Sequence, residues 1–196
     1  MTRRITGRMT GRLLGLLPIL LLAACATPRD SGQSLIMPRV DEGVLVVGLV
    51  ADWPGAQQGG ELEWLASREP RGVTGNRLLL RQRGTEDIQV RVLRSGRYRW
   101  SGVGIAGEAV ADADGSFLVE AGRVTYVGHL ELVSRCTGCG SLADWLAQLE
   151  PAARYSDRSA EVREHLAREH PTLAVMSFER FRGRLAFAAV APAAQE

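Results

Sequence analysis

Cys136 and Cys139, in the stretch SRCTGCGSLADW, are the residues whose type and spacing speak most directly of chemistry. Two thiols three positions apart support a dithiol–disulfide couple, half of a zinc site, or a short covalent staple. The helix expected to follow favours a redox couple, because its N-terminal dipole lowers a thiol pKa. Against that, redox pairs of this spacing normally sit in a βαβ context, which a β-rich chain lacks. A zinc site would need two further ligands. The three histidines, His129, His165 and His170, form no ligand pattern. His165 and His170 are five apart, which does not stack them on one helical face, and His129 is expected opposite the inward set of its strand. The choice among the three chemistries turns on the redox compartment.

Other motifs carry less. GVGIAG, Gly102 to Gly107, matches the dinucleotide pattern letter for letter, but that mechanism needs a helix N-terminus directly afterwards. A glycine-rich β-loop fits better. DADG at 112–115 lacks the remaining ligand positions of a calcium loop and is expected to be a hairpin turn, Asp114-Gly115 tolerating positive φ. All 24 basic residues are arginine, so lysine-dependent chemistry is excluded. There is neither a G-x-S-x-G nor an H-E-x-x-H, and no cofactor is expected. Seven arginines fall between Arg77 and Arg99. Of these Arg81, Arg83, Arg91, Arg97 and Arg99 alternate with inward residues. They read either as solvated strand exteriors or as one basic face for anionic lipid, lipopolysaccharide phosphate or an acidic envelope protein.

The compartment is written at the N-terminus. Residues 1–12 carry four arginines and no acid, and LLGLLPILLLAA follows as an apolar run of signal-peptide length. As a helix this run would rise only about 18 Å, too short for a hydrocarbon core of roughly 30 Å. Leu22-Ala23-Ala24-Cys25 resembles the lipobox of bacterial lipoproteins. That resemblance implies cleavage after residue 24, lipidation of Cys25, and anchoring by acyl chains that each contribute about 0.8 kcal/mol per buried CH2. Ala26 in place of an aspartate points, by the same resemblance, to the outer membrane. In an oxidising compartment Cys136 and Cys139 pair with no thiol left over, so a disulfide is the expected state. Loss of residues 1–24 removes four basic residues and no acid, taking the formal charge from +2 to −2 and leaving nothing global that calls for nucleic acid.

The elements that would position these groups are mainly β. Residues 25–39 read as a lipidated, flexible tether. VLVVGLVADW is an apolar strand, and residues 54–60 are a loop. Ile88, Val90 and Val92 alternate with polar residues, as do Tyr98 and Trp100. In GRVTYVGHLELVS, Val124, Tyr126, Leu130 and Leu132 are expected on one face. Residues 40–134 are therefore expected to form a β-sandwich. Residues 135–190 are expected as a helical extension packed on it. Its first helix is capped by Ser141 and Asp144, and its second runs from about Arg158 to Glu169 after Asp157. Residues 172–190 are ambiguous between strand and helix, and 191–196 read as a frayed tail.

Gly96 and Tyr98, followed by Phe117, Val119, Gly122, Tyr126 and Gly128, resemble a pattern in an uncharacterised family of bacterial lipoproteins. The resemblance implies a prealbumin-like antiparallel β-sandwich, similar to the regulatory domain of some carboxypeptidases, with two short C-terminal helices. It covers residues 90–132 best and transfers no catalytic residue. The expectation is a mainly β protein with C-terminal helices, lipid-anchored in the outer membrane, facing the periplasm and acting as a non-catalytic binding or structural module. The alternative is a thiol–disulfide or metal-handling protein using Cys136 and Cys139.

Overall fold

The computed structural model describes residues 37–69, 77–105, 108–181 and 185–189. Cys25, the signal and tether through residue 36, Gly107 and the 191–196 tail lie outside the described residues.

The strands form two sheets. β1 (Glu42–Ala51) pairs with β4 (Glu86–Arg94) on one side and with β8 (Arg123–Leu132) on the other. β9 (Arg154–Ser156) and β10 (Ser177–Arg180) line the far edge of β8. The second sheet runs β11 (Ala186–Ala189), β6 (Glu108–Asp114), β5 (Gly96–Ile105), β2 (Glu61–Arg68) and β3 (Arg77–Arg83), with β7 (Ser116–Val119) also on β5. The second sheet is antiparallel throughout. The first is mixed, because β1 and β10 both run parallel to β8. The expected all-antiparallel sandwich is corrected on that point.

β1 and β8 are buried along nearly their whole lengths because each is covered on both faces, as strands with parallel neighbours commonly are. One face of β1, with Leu45, Val47, Leu49 and Ala51, packs with Val127 of β8 on the second sheet through Trp64, Trp100 and Phe117. The other, with Val44 and Val46, is covered with Val124 and Tyr126 by Val162 and Leu166 of α2 (Ser159–Glu169) and Leu173 of α3 (Pro171–Ala174). Val90 joins this outer cluster, flanked by Ile88 and Val92, so the alternation of β4 is real but its apolar face meets the helices.

β2 is not among the expected strands, although Leu62, Trp64 and Ala66 alternate along it. It is an interior strand between β3 and β5, and Trp64, fully buried, donates from Nε1 to Gln82 Oε1 at 3.0 Å. Tyr98 stacks on Phe117 with ring centroids 5.4 Å apart. Asp114-Gly115 is not a hairpin turn: β6 and β7 both pair with β5, so they are one strand line interrupted at Gly115. β6 pairs antiparallel with β5 from Ile105↔Glu108, so a strand and not a helix follows the glycine-rich segment, which removes the dinucleotide geometry. Residues from 135 onward are more than a helical cover, because β9, β10 and β11 complete the edges of both sheets.

Candidate functional site

The Cys pair lies between β8 and α1 (Leu142–Ala147). Cys136 and Cys139 form a disulfide with Cα atoms 5.8 Å apart, and Cys139 packs against the main core. Ser141 caps α1, its Oγ accepting from Asp144 N at 3.1 Å, as its position before the helix implies. Neither cysteine belongs to a cluster of metal-ligating side chains among the described residues.

The arginines do not share one sheet. Arg91 lies on β4 of the first sheet, where its Nη2 donates to Gln89 Oε1 at 2.6 Å. The other four lie on β3 and β5 of the second sheet, and each has a carboxylate beside it. Arg81 is 3.5 Å from Glu63 and 3.7 Å from Glu61, Arg83 pairs with Glu61, Arg97 is 4.0 Å from Glu69, and Arg99 is 2.7 Å from Asp114. Their charge is locally balanced. Arg97 and Arg99 border a surface concavity of about 670 Å³ that also takes Glu69, Asp114 and Phe181.

The strongest concentration of chemistry lies elsewhere, on the helix-covered face of the first sheet. Along β8 the pairing with β1 steps from Val46↔Tyr126 to Gly48↔His129, two residues against three, which is a β-bulge. Gly128 supplies the positive φ of 105° within it. The extra residue reverses the phase of the strand. Val124 and Tyr126 therefore face the helices, while Leu130 and Leu132 face the second sheet, so the single inward set expected from sequence is split. His129 is returned to the side of Tyr126.

His129 has no accessible surface. Its ring lies over Gly48, where a Cβ would overlap the imidazole, so only glycine on β1 admits it. Its Nδ1 is 2.7 Å from Tyr126 Oη, and Tyr126 Oη in turn accepts from the backbone N–H of Arg158 at 3.0 Å. Nε2 has no hydrogen-bond partner among the described residues and lies 3.7 Å from Glu86 Oε1. Glu86 opens β4. Arg158, at the entry to α2, places Nη1 2.6 Å from Glu86 Oε1 and 3.9 Å from Glu161 Oε2. Donor atoms of Glu86, His129 and Glu161 all lie within 4.8 Å of one another.

Burial lowers the His129 pKa, and the Arg158 guanidinium lowers it further against the opposing pull of Glu86 and Glu161, so the ring is neutral at pH 7. Burial likewise pushes the Tyr126 phenol up to about 12. In the neutral imidazole one nitrogen carries the proton. Either Tyr126 O–H donates to Nδ1 and leaves an N–H on Nε2, or Nδ1–H donates to Tyr126 Oη and leaves a lone pair on Nε2 facing the carboxylates.

Sequence reading placed no function on His129, Tyr126, Glu86, Arg158 or Glu161. The one available signal was Gly128 directly before a histidine inside an apolar strand, a mark of a bulge. His165 and His170 also converge, with ring centroids 6.1 Å apart, because α2 ends at Glu169 and the backbone turns at His170. Compared with models of known protein families, with curated proteins and with solved structures, the chain matches none.

Proposed function

We propose that this chain is a lipid-anchored lipoprotein of the bacterial cell envelope, held in the outer membrane through Cys25, facing the periplasm, and serving as a non-catalytic binding or structural module. The observation that supports it is the Cys136–Cys139 disulfide. Such a bond persists in an oxidising compartment, which is where the segment LLLAAC directs the chain. It also occupies the other two cysteines and leaves the Cys25 thiol for the lipid. Among the described residues no helix is long and apolar enough to cross a membrane.

The finer assignment of a prealbumin-like sandwich, similar to carboxypeptidase regulatory domains, draws support from the roles of the residues that carry the resemblance. Tyr98 and Phe117 stack at the centre of the second sheet, while Gly96, Gly122 and Gly128 supply positive φ at a strand start, a turn and a bulge.

Metabolic labelling with radioactive palmitate tests the anchor. Label enters the wild-type protein and not Cys25→Ala, and the labelled protein sediments with outer membranes. Equal labelling of both forms, or of neither, overturns the proposal.

A further inference from the structure

We propose that His129 Nε2, together with the carboxylates of Glu86 and Glu161, forms a site for a divalent transition-metal cation, zinc being the best match. The chemistry of the donors comes first. One imidazole and two carboxylates are a nitrogen–oxygen set of the kind zinc accepts, and three protein ligands leave a fourth position for water. Zinc bonds of about 2.0–2.2 Å place tetrahedral ligands roughly 3.4 Å apart. The donor atoms already lie within 4.8 Å of one another. The imidazole is fixed, whereas Glu86 and Glu161 ride on side chains 41% and 53% exposed, free to close the difference.

The second argument is the effort the fold makes to bury one nitrogen without a partner. A bulge, a positive-φ glycine at 128 and a missing Cβ at Gly48 all serve to place His129 where its Nε2 meets two carboxylates. An unpartnered buried polar atom is costly, and a cation bridging Nε2 to the carboxylates removes that cost.

Tyr126 supplies the outer support. Metal binding at Nε2 needs its lone pair, so the ring proton sits on Nδ1 and is donated to Tyr126 Oη, fixing tautomer and orientation. Arg158 is the competitor, since its guanidinium already sits between the two carboxylates. Metal entry sends that side chain into solvent while the Arg158 backbone N–H stays on Tyr126 Oη. The site is therefore one in which an internal cation and an external one exclude each other.

The test uses the full chain in detergent micelles, with its disulfide intact and stripped by a chelator. It is titrated with zinc against a chromophoric chelator, and with cobalt(II) followed by visible absorption. The expected result is one zinc per chain and a cobalt spectrum of four-coordinate intensity. Glu161→Gln and Glu86→Gln each weaken zinc binding by about tenfold or more, the scale set by losing even an outer partner of a metal ligand. Arg158→Gln, which keeps the backbone hydrogen bond, tightens it. The double variant Cys136→Ser/Cys139→Ser binds zinc unchanged. Thermal unfolding confirms that the exposed-site variants remain folded. The proposal is overturned if no zinc binds, if Glu161→Gln and Glu86→Gln bind as wild type, if Arg158→Gln binds more weakly, or if binding is lost only on replacing His165 and His170.

Discussion

Tyr126 and His129 are three residues apart on one strand, yet their side chains meet on the same face, Oη to Nδ1 at 2.7 Å. In a regular strand an odd spacing puts two side chains on opposite faces. The bulge at Val127–Gly128 converts the odd spacing to an even one, and Gly48 on β1 clears the space for the ring.

Gly48→Ala puts a methyl group into a ring that Tyr126 and the sheet hold in place. Overpacking of this kind costs about 1–3 kcal/mol. Urea unfolding of Gly48→Ala should show that loss. In a His129→Ala background the same substitution should cost about 1 kcal/mol less, because the two positions touch. Equal costs in both backgrounds would show that the ring is not what Gly48 accommodates.

Tyr126→Phe removes the shared partner of Arg158 N and His129 Nδ1 while keeping the ring in its apolar contacts. Two groups lose a hydrogen bond, one of them on a fully buried ring, and the expected destabilisation is about 1–3 kcal/mol. Tyr155→Phe, on the exposed edge strand β9, should cost under about 1 kcal/mol. Denaturant midpoints that fail to separate the two variants would remove Tyr126 from its organising role.

Much of the fold is legible in the residues. β1 announces itself as a continuous apolar run, and Ser141 caps α1 where its position before the helix says it should. The wrong faces along β8 have one physical cause. A bulge adds a residue whose single mark in the sequence here is Gly128, and every period-two argument that crosses it assigns the wrong face. That is why Leu130 and Leu132 read with Tyr126 on one face, whereas the hairpin expected at Asp114-Gly115 rests on a turn dipeptide that here only interrupts a strand line along β5. The His129 site draws on β1, β4, β8 and α2, residues 48 to 161, and no local pattern joins positions so far apart. β9 and β10 are three and four residues long, below the length at which alternation can be recognised.

Thr125 presents the opposite case to Tyr126. It is almost fully buried, and its Oγ1 has no hydrogen-bond partner among the described residues. Replacing an unpaired buried hydroxyl with a methyl group of the same shape removes a desolvation cost. Thr125→Val should leave stability unchanged or raise it by about 1 kcal/mol in urea unfolding. A loss above about 1 kcal/mol would mean that the hydroxyl has a partner.

Tyr98 gives the fold an alkaline limit. Burial raises its pKa above the ordinary value of 10.0, against the lowering pull of Arg68 and Arg94, and its O–H donates to Arg94 O at 2.8 Å. The unfolded chain ionises this phenol near 10.0 and the folded chain only above it. The stability tied to the neutral phenol is therefore complete below the unfolded value and is lost as pH rises through the folded one. At pH 7 Tyr98→Phe should be about 1 kcal/mol less stable, for the missing hydrogen bond. Above pH 10.0 that gap should narrow, since the variant has no phenol to ionise at this position. A gap constant from pH 7 to 11 would contradict the burial argument.

The disulfide closes a loop of only two intervening residues, at a corner that β8 and α1 already define. In the chain-entropy description so small a loop stabilises by at most about 2 kcal/mol, and the Cys136→Ser/Cys139→Ser variant should lose no more than that. Cys139 packs against the main core, which restricts approach to its sulfur. A structural bond of this kind should have a reduction potential below about −300 mV and should not catalyse insulin reduction. A potential near −200 mV with insulin turnover would reassign the pair as a working dithiol. The two measurements together separate a corner clamp from a redox centre, because stability alone reports the loop and potential alone reports the thiols.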